Sequence, residues 1–205
     1  MAENIFKTVN MKAGDAQKSY TWYRNQVRNL GSGVSGLQLI RNETLTNRIK
    51  PGEMYLFMYD PKHKDTLPYY DAMPLVLPFR QLPDGFLGIN LHYLPYLARF
   101  NLLGALSKLA TDKNMDEKTR IQISWQILNG STKYLAATAC VKHYLNDHLR
   151  TRFLKIDYRD WVTAAMLPVE NFKKAKNKQI VQGSEWKQGR GEDGEREGKS
   201  KRALP

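Results

Sequence analysis

The chain has 205 residues and a formal net charge of +12, with 32 Lys and Arg against 20 Asp and Glu. This length predicts one folded domain with a sizeable core. The single cysteine, Cys140, excludes an internal disulfide and a cysteine-based zinc site. No run approaches the roughly 18 apolar residues of a membrane span, so we expect no membrane partner. The positive charge favours polyanionic partners, which could be nucleic acid, an acidic protein surface or a membrane face.

Residues 1–36 are predicted to form an N-terminal helical arm and a linker. Apolar residues recur at helical spacing between the candidate N-cap Asp15 and residue 30, and the following GSGVSG has the composition of a linker. Arg24 and Arg28 fall on the exposed face of this helix beside aromatic residues, which makes them candidate contacts for DNA or a partner. A solvated basic face over an aromatic core stripe explains the same pattern.

Residues 37–172 are predicted to form an α+β body that begins with a sheet at 53–91. Three short apolar runs, at 54–59, 75–79 and 86–91, predict the strands of a small, bent antiparallel sheet or partial barrel. The prolines that flank the second run predict an edge or bulged strand. The loop at 60–73 is long for a hairpin, and long ordered loops are usually functional or packed against a partner.

Beyond residue 94 the apolar period changes to that of a helix, and about four helices are predicted across 95–172. They are expected near 96–110, 116–128, 131–149 and 157–166. The first is apolar nearly all round and should be buried. Residues 173–205 are predicted to form an extended, low-complexity basic tail, whose composition cannot bury enough apolar area to order it.

The standard catalytic motifs are absent: there is no GxxxxGK[ST], no HExxH and no GxSxG. We therefore expect no enzyme activity, no cofactor and no bound metal. One alternative is a metal-dependent nuclease that uses Asp60, His63 and Asp65, although a turn stabilised by Asp60 explains the same residues more simply. His92 is expected to be a buried histidine bonded to the backbone.

Aromatic residues are dense in the central stretch. They are consistent with a stacking platform for nucleic acid or with the core and rim of a small barrel. The residues in question are Tyr55, Phe57, Tyr59, Tyr69, Tyr70 and Phe79.

Two segments, YDPKHKDTLPYYD at 59–71 and GINLHYLP at 88–95, resemble the tailed-bacteriophage virion proteins known as DNA end protector proteins, from T-even-type phages and cyanophages. The resemblance covers about 48–172. It implies a structural, non-enzymatic protein that joins the packaged head late, acts at the neck or DNA terminus, and shields the linear end from exonuclease. It also implies neck, portal or tail subunits as partners, several copies in a symmetric assembly, and a place in the virion and, during assembly, in the host cytoplasm.

For such a role, double-stranded DNA is the expected ligand, and affinity should fall steeply as salt rises. The candidate contacts in the body are Lys62, His63, Lys64, Arg80, Arg99, Lys142, Arg150 and Arg152, in addition to Arg24 and Arg28 of the arm. The competing hypothesis is a structural connector of the neck, tail or baseplate that binds only neighbouring proteins.

Overall fold

A computed structural model describes residues 18–30, 35–111 and 140–174, together with the single residues 6, 9 and 126. This part of the chain is α+β. Its helices are α1 (Tyr20–Asn29), α2 (Gly36–Asn42), α3 (Tyr96–Thr111) and α4 (Trp161–Met166). Its strands are β1 (Leu45–Thr46), β2 (Met54–Leu56), β3 (Tyr70–Asp71), β4 (Leu75–Leu82), β5 (Gly85–Asn90), β6 (Val141–Leu145), β7 (Phe153–Ile156) and β8 (Phe172–Lys173).

Six strands form one antiparallel sheet in the order β1-β7-β2-β4-β5-β6, and β3 pairs with β8 in a separate two-stranded sheet. The predicted strands at 54–59, 75–79 and 86–91 correspond to β2, β4 and β5. The predicted bulge is confirmed between Pro78 and Arg80, where the pairing of β4 with β5 shifts register. β4 lies inside the sheet rather than at its edge.

The six-stranded sheet is strongly bent around an aromatic cluster. Phe153 of β7 and Phe86 of β5 are separated by two strands, which would place them about 14 Å apart in a flat sheet. Their ring centroids are only 6.0 Å apart. The aromatic cluster consists of the buried residues Tyr55, Phe57, Tyr59, Val76, Phe86, Tyr144 and Phe153. Most of the predicted platform residues therefore fill a core, and Tyr69 and Tyr70 alone of that set are half-buried.

The other face of the sheet packs against the helices and forms the main core. Side chains alternate along β2, so that Tyr55 enters the aromatic cluster while Met54 and Leu56 enter the main core. Leu103 of α3 and Trp161 of α4 meet them there. Further along the chain, short 3-10 turns at Leu91–Tyr93, Asn146–His148 and Tyr158–Asp160 lead into or out of these elements.

The predicted helices at 96–110 and 157–166 are confirmed by α3 and α4, but the predicted helix at 131–149 is wrong, because β6 lies within that range. β7 forms between the third and fourth predicted helices, where the sequence predicts no strand. The open edge of β5 pairs with all of β6, from Gly85 opposite Leu145 to Ile89 opposite Val141. A strand also sends Tyr144 into the aromatic cluster and Val141 toward the main core, which one helix face could not do. The predicted helix at 116–128 lies outside the described residues, apart from residue 126.

The N-terminal helix begins later than predicted. Ser19 is its N-cap, and the Ser19 hydroxyl accepts a hydrogen bond from the backbone N–H of Trp22 at 3.2 Å. Val27 on this helix is buried in the main core. The predicted cap Asp15, the linker residues 31–34 and the basic tail beyond Lys174 lie outside the described residues.

Candidate nucleic-acid interface

Residues 60–67 form a compact turn at the start of the long loop between β2 and β3. The backbone N–H of Lys64 donates to the carbonyl of Pro61 at 3.1 Å, and two further amides donate to the carbonyl of His63. The side chains of Lys62 and His63 are exposed. The turn therefore presents basic side chains to solvent from a hydrogen-bonded backbone.

Asp60 anchors this turn to the segment that follows β6. Its Oδ2 accepts hydrogen bonds from Arg150 Nη2 at 2.9 Å and from Lys64 Nζ at 3.1 Å. These two bonds hold the pKa of Asp60 below its ordinary value. The Asp60 backbone also exchanges two hydrogen bonds with His148, at 3.1 and 2.8 Å. Because the side chains of Lys64 and Arg150 remain 45% and 51% exposed, the two cations are positioned and still accessible.

Strand β8 holds the other side of the loop. Lys174, which follows it, donates from Nζ to the carbonyls of Lys64 and Asp65 at 2.7 and 2.8 Å. Its φ of 60° is uncommon for a residue that carries a side chain. Together these basic residues form what we call the basic loop face: Lys62, His63, Lys64, Arg150 and Lys174.

Four of the ten predicted contact residues lie in the basic loop face. Arg80, Arg152 and Arg28 are exposed at other positions, and Arg24 is half-buried on α1. Lys142 is half-buried, with its ammonium 4.3 Å from the ring centroid of Tyr93, and burial lowers its pKa. The structure shows no hydrogen bond or ion pair that joins Arg80, Arg152 or Arg24 to the loop among the described residues.

Arg99 does not reach the surface, so the prediction that it contacts DNA or a partner is wrong. Its side chain is fully buried and donates to Glu170 Oε1 at 2.8 Å. It also donates to three backbone carbonyls, those of Leu94, Ala165 and His92, at 2.8–3.0 Å. Burial, the largest single influence, would raise the pKa of Glu170, but the interactions with Arg99 and His92 together outweigh burial and lower it.

A second buried polar group lies beside Arg99. The Nδ1 of His92 is 2.7 Å from Oδ2 of Asp71, so the ring is bonded to a carboxylate rather than to the backbone as expected. Asp71 also accepts hydrogen bonds from Asn90 and from the backbone N–H of Met73 and Asn171. Burial alone would raise the pKa of Asp71, but the His92 interaction and these bonds lower it.

The comparison with protein families decides the identity. The family model of the Phage T4 terminal DNA protecting protein matches residues 4–188. The chain belongs to the Phage T4 terminal DNA protecting protein family. It is a structural, DNA-end-protecting protein of bacteriophage type, as the resemblance at 59–71 and 88–95 implied. The comparison with curated proteins and the comparison with solved structures gave no match.

The surroundings of Asp60 and His63 do not favour the nuclease alternative. The Asp60 carboxylate is occupied by a guanidinium and an ammonium, both of which would repel a metal ion. No group of three His, Cys, Asp or Glu side chains in the described ranges is arranged to hold a metal. The described residues therefore contain no metal site that a nuclease could use.

None of the described helices is long and apolar enough to cross a bilayer.

The basic loop face has features that the sequence does not reveal. The sequence places Lys174 only in the basic tail, because its contact with the loop spans more than 100 residues. The role of Asp60 depends equally on a distant partner, Arg150. Local periodicity carries no signal for either contact, whereas the sequence YDPKHKD alone indicates an exposed basic turn.

Proposed function

We propose that this protein binds the end of linear double-stranded DNA through the basic loop face and blocks exonucleases only by occupying that end. The observation that carries the proposal is that Arg150 and Lys174, from distant parts of the chain, are hydrogen-bonded to a loop that itself carries Lys62, His63 and Lys64. Family membership supplies the ligand, and the loop supplies a surface of the right charge.

The chemistry of the basic loop face suits phosphate oxygens. Arg150 uses one nitrogen, Nη2, on Asp60, which leaves other N–H groups of a half-exposed guanidinium for an anion. Lys62 lies on the same turn and is exposed. Phosphate contacts of this kind fix position without reading sequence. Binding should therefore be independent of DNA sequence and sensitive to salt.

The remaining predicted contacts are proposed to extend this surface. Arg80, Arg152 and Arg28 are exposed, which a phosphate contact requires. Arg24 and Lys142 are half-buried and have less surface to offer. Removal of any one of the exposed residues should cost less than removal of a basic loop face residue, since no described contact holds Arg80 or Arg152 beside the loop.

We also propose the particle context that the family suggests. The protein would act at the head, neck or packaged DNA terminus, in several copies, with neck, portal or tail subunits as neighbours. It would be found in the host cytoplasm during assembly and in the virion afterwards. The division into an arm at 1–36, a body at 37–172 and a basic tail at 173–205 remains a prediction.

The salt dependence of DNA binding tests this proposal. We compare the wild type with a loop triple variant, Lys62→Ala/Lys64→Ala/Arg150→Ala, and with a control triple variant, Arg41→Ala/Lys155→Ala/Arg159→Ala. Each removes three positive charges, and all of the control residues are exposed. The slope of log K against log salt changes by about 0.9 for each phosphate contact that a substitution removes. We expect that flattening in the loop triple variant, and little of it in the control.

Equal slopes for the two triple variants would show that net charge, and not this face, determines binding. Absence of any binding by the wild type at low salt would contradict the DNA role and favour the structural connector that binds only neighbouring proteins.

A further inference from the structure

A half-buried group of three aromatic rings lies beside the basic loop face. The rings of Tyr69 and Tyr93 are stacked, with centroids 5.7 Å apart and planes at 26°. Phe172 meets both edge-on, at 6.0 Å from Tyr69 and 5.1 Å from Tyr93. We call these three residues the aromatic stack. None of them is fully buried, unlike Phe57 or Phe86 of the aromatic cluster, whose exposure is 0% and 1%.

The aromatic stack and the basic loop face belong to one surface. Tyr69 lies two residues beyond Leu67, whose amide closes the turn at 60–67. Phe172 lies two residues before Lys174, which donates to the carbonyls of Lys64 and Asp65. The pairing of β3 with β8 brings these two segments together. A DNA strand held by the basic loop face would therefore run close to the aromatic rings.

Within the aromatic stack, Tyr69 is the ring best placed for an outside partner. Tyr93 already carries the Lys142 ammonium 4.3 Å from its centroid in addition to the stacked Tyr69. Phe172 is part of β8 and uses its edge contacts to hold the two tyrosines. Tyr69 precedes β3 and is half-buried. Its contacts with described rings are the stack on Tyr93 and the edge contact with Phe172.

Phosphate contacts bind any part of a duplex, because the backbone is the same at an end and in the interior. What an end offers in addition is the uncovered face of its last base. Aromatic side chains stack on exposed bases without regard to sequence, and such stacking is worth about 1–3 kcal/mol per base. A ring beside a phosphate-binding loop therefore supplies the contact that separates an end from the interior.

We propose that Tyr69 stacks on the terminal base of the DNA end while the basic loop face holds the phosphates behind it. Tyr93 and Phe172 support the Tyr69 ring, and Lys142 lies against the ring of Tyr93. This proposal rests on the proposed function, which supplies the DNA, and adds the selectivity of that same site for ends.

Fluorescence of the terminal base tests the contact in the unmodified chain. A duplex with 2-aminopurine at its terminal position should lose fluorescence when the protein binds, because stacking quenches this base. The same base at the centre of the duplex should not respond. Equal responses at the two positions would overturn the proposal, and this result does not depend on the folding of any variant.

Variants then assign the contact to a residue. Competition between open-ended duplex and a covalently closed circle of the same sequence measures end preference. We expect Tyr69→Ala to weaken binding to the open end by about 5- to 150-fold, which is the range for removal of one stacked ring, and to leave binding to the circle unchanged. Tyr69→Phe keeps the ring and should retain the preference.

Tyr158→Ala is the matched control. Tyr158 is 38% exposed and has the Arg159 guanidinium 5.7 Å from its centroid, but it does not belong to the aromatic stack. If Tyr69→Ala keeps the end preference while the loop triple variant loses DNA binding, this inference fails and the proposed function stands. If the wild type binds neither substrate, both fail.

Discussion

Replacement of Arg99 by alanine should strongly destabilise the fold without lowering the affinity of the folded protein for DNA. Arg99 lies on α3 with its side chain fully buried. It donates to the carboxylate of Glu170 and to three backbone carbonyls, at distances of 2.8–3.0 Å. Its guanidinium also lies 4.3 Å from the ring centroid of Tyr96. Arg99 thus ties the start of α3 to the segment after α4.

The expected magnitude follows from what the truncation leaves behind. Loss of one partner of a buried ion pair costs about 3–5 kcal/mol, because the other charge stays buried. Each carbonyl left without a donor adds about 1–3 kcal/mol unless the site relaxes or admits water. We therefore expect Arg99→Ala to lower the free energy of unfolding by about 4 kcal/mol or more. This is a large part of the roughly 5–15 kcal/mol that holds a typical domain together.

Urea unfolding followed by circular dichroism measures this change. Arg152→Ala is the control, since Arg152 is exposed, and it should shift stability by no more than about 0.5 kcal/mol. Arg99→Lys should be intermediate, because an ammonium cannot reproduce the planar fork of a guanidinium. The reasoning is refuted if Arg99→Ala has the same midpoint of urea unfolding as the wild type and its affinity for DNA falls.

Two further perturbations test the surroundings of the loop. Phe172→Ala removes the ring that contacts Tyr69 and Tyr93, and it should cost about 1–2 kcal/mol, as expected for a half-buried aromatic residue. Limited proteolysis should then cut within 61–68 faster than in Tyr158→Ala, and equal rates would contradict a supporting role for β8. Asp71→Asn should lower stability at neutral pH. The folded-state pKa of Asp71 lies below its ordinary 3.8, so its contribution is present above that value and is lost as pH falls through the lower, folded pKa. The difference in free energy of unfolding between the wild type and Asp71→Asn should therefore become smaller at acid pH. A difference that does not change with pH would contradict a stabilising role for the buried Asp71 carboxylate.

Local sequence patterns predict the part of this fold that depends on near neighbours. The apolar runs that form β2, β4 and β5 are contiguous, and the prolines around 75–79 correctly indicate a bulge. The patterns miss β7 because its partners are distant: Met54 pairs with Ile156, about a hundred residues along the chain. They predict a helix for β6 because its apolar spacing fits a helix as well as a strand. Its pairing with the edge of β5 determines that it forms a strand.

The site is predictable where exposure depends on local sequence. The turn DPKHKD identifies Lys62, His63 and Lys64 without any tertiary information. The burial of Arg99 does not follow from the apolar composition of α3, because that helix has a solvent face on which Leu97 is 47% exposed. Arg99 is buried by contacts with Ala165 and Glu170, which lie 66 and 71 residues along the chain. The contact of Lys174 with the loop and the pairing of Asp60 with Arg150 could not be predicted from the sequence. These contacts form only when segments about 90 to 110 residues apart meet.

Protection of a linear duplex from an exonuclease tests the central claim most directly. Linear double-stranded DNA is incubated at low salt with an excess of the wild type, the loop triple variant or the control triple variant, and the surviving full-length DNA is measured over time. We expect the wild type and the control to preserve full-length DNA and the loop triple variant to lose most of that protection. Digestion at the unprotected rate in the presence of the wild type, or equal protection by both triple variants, would contradict the account.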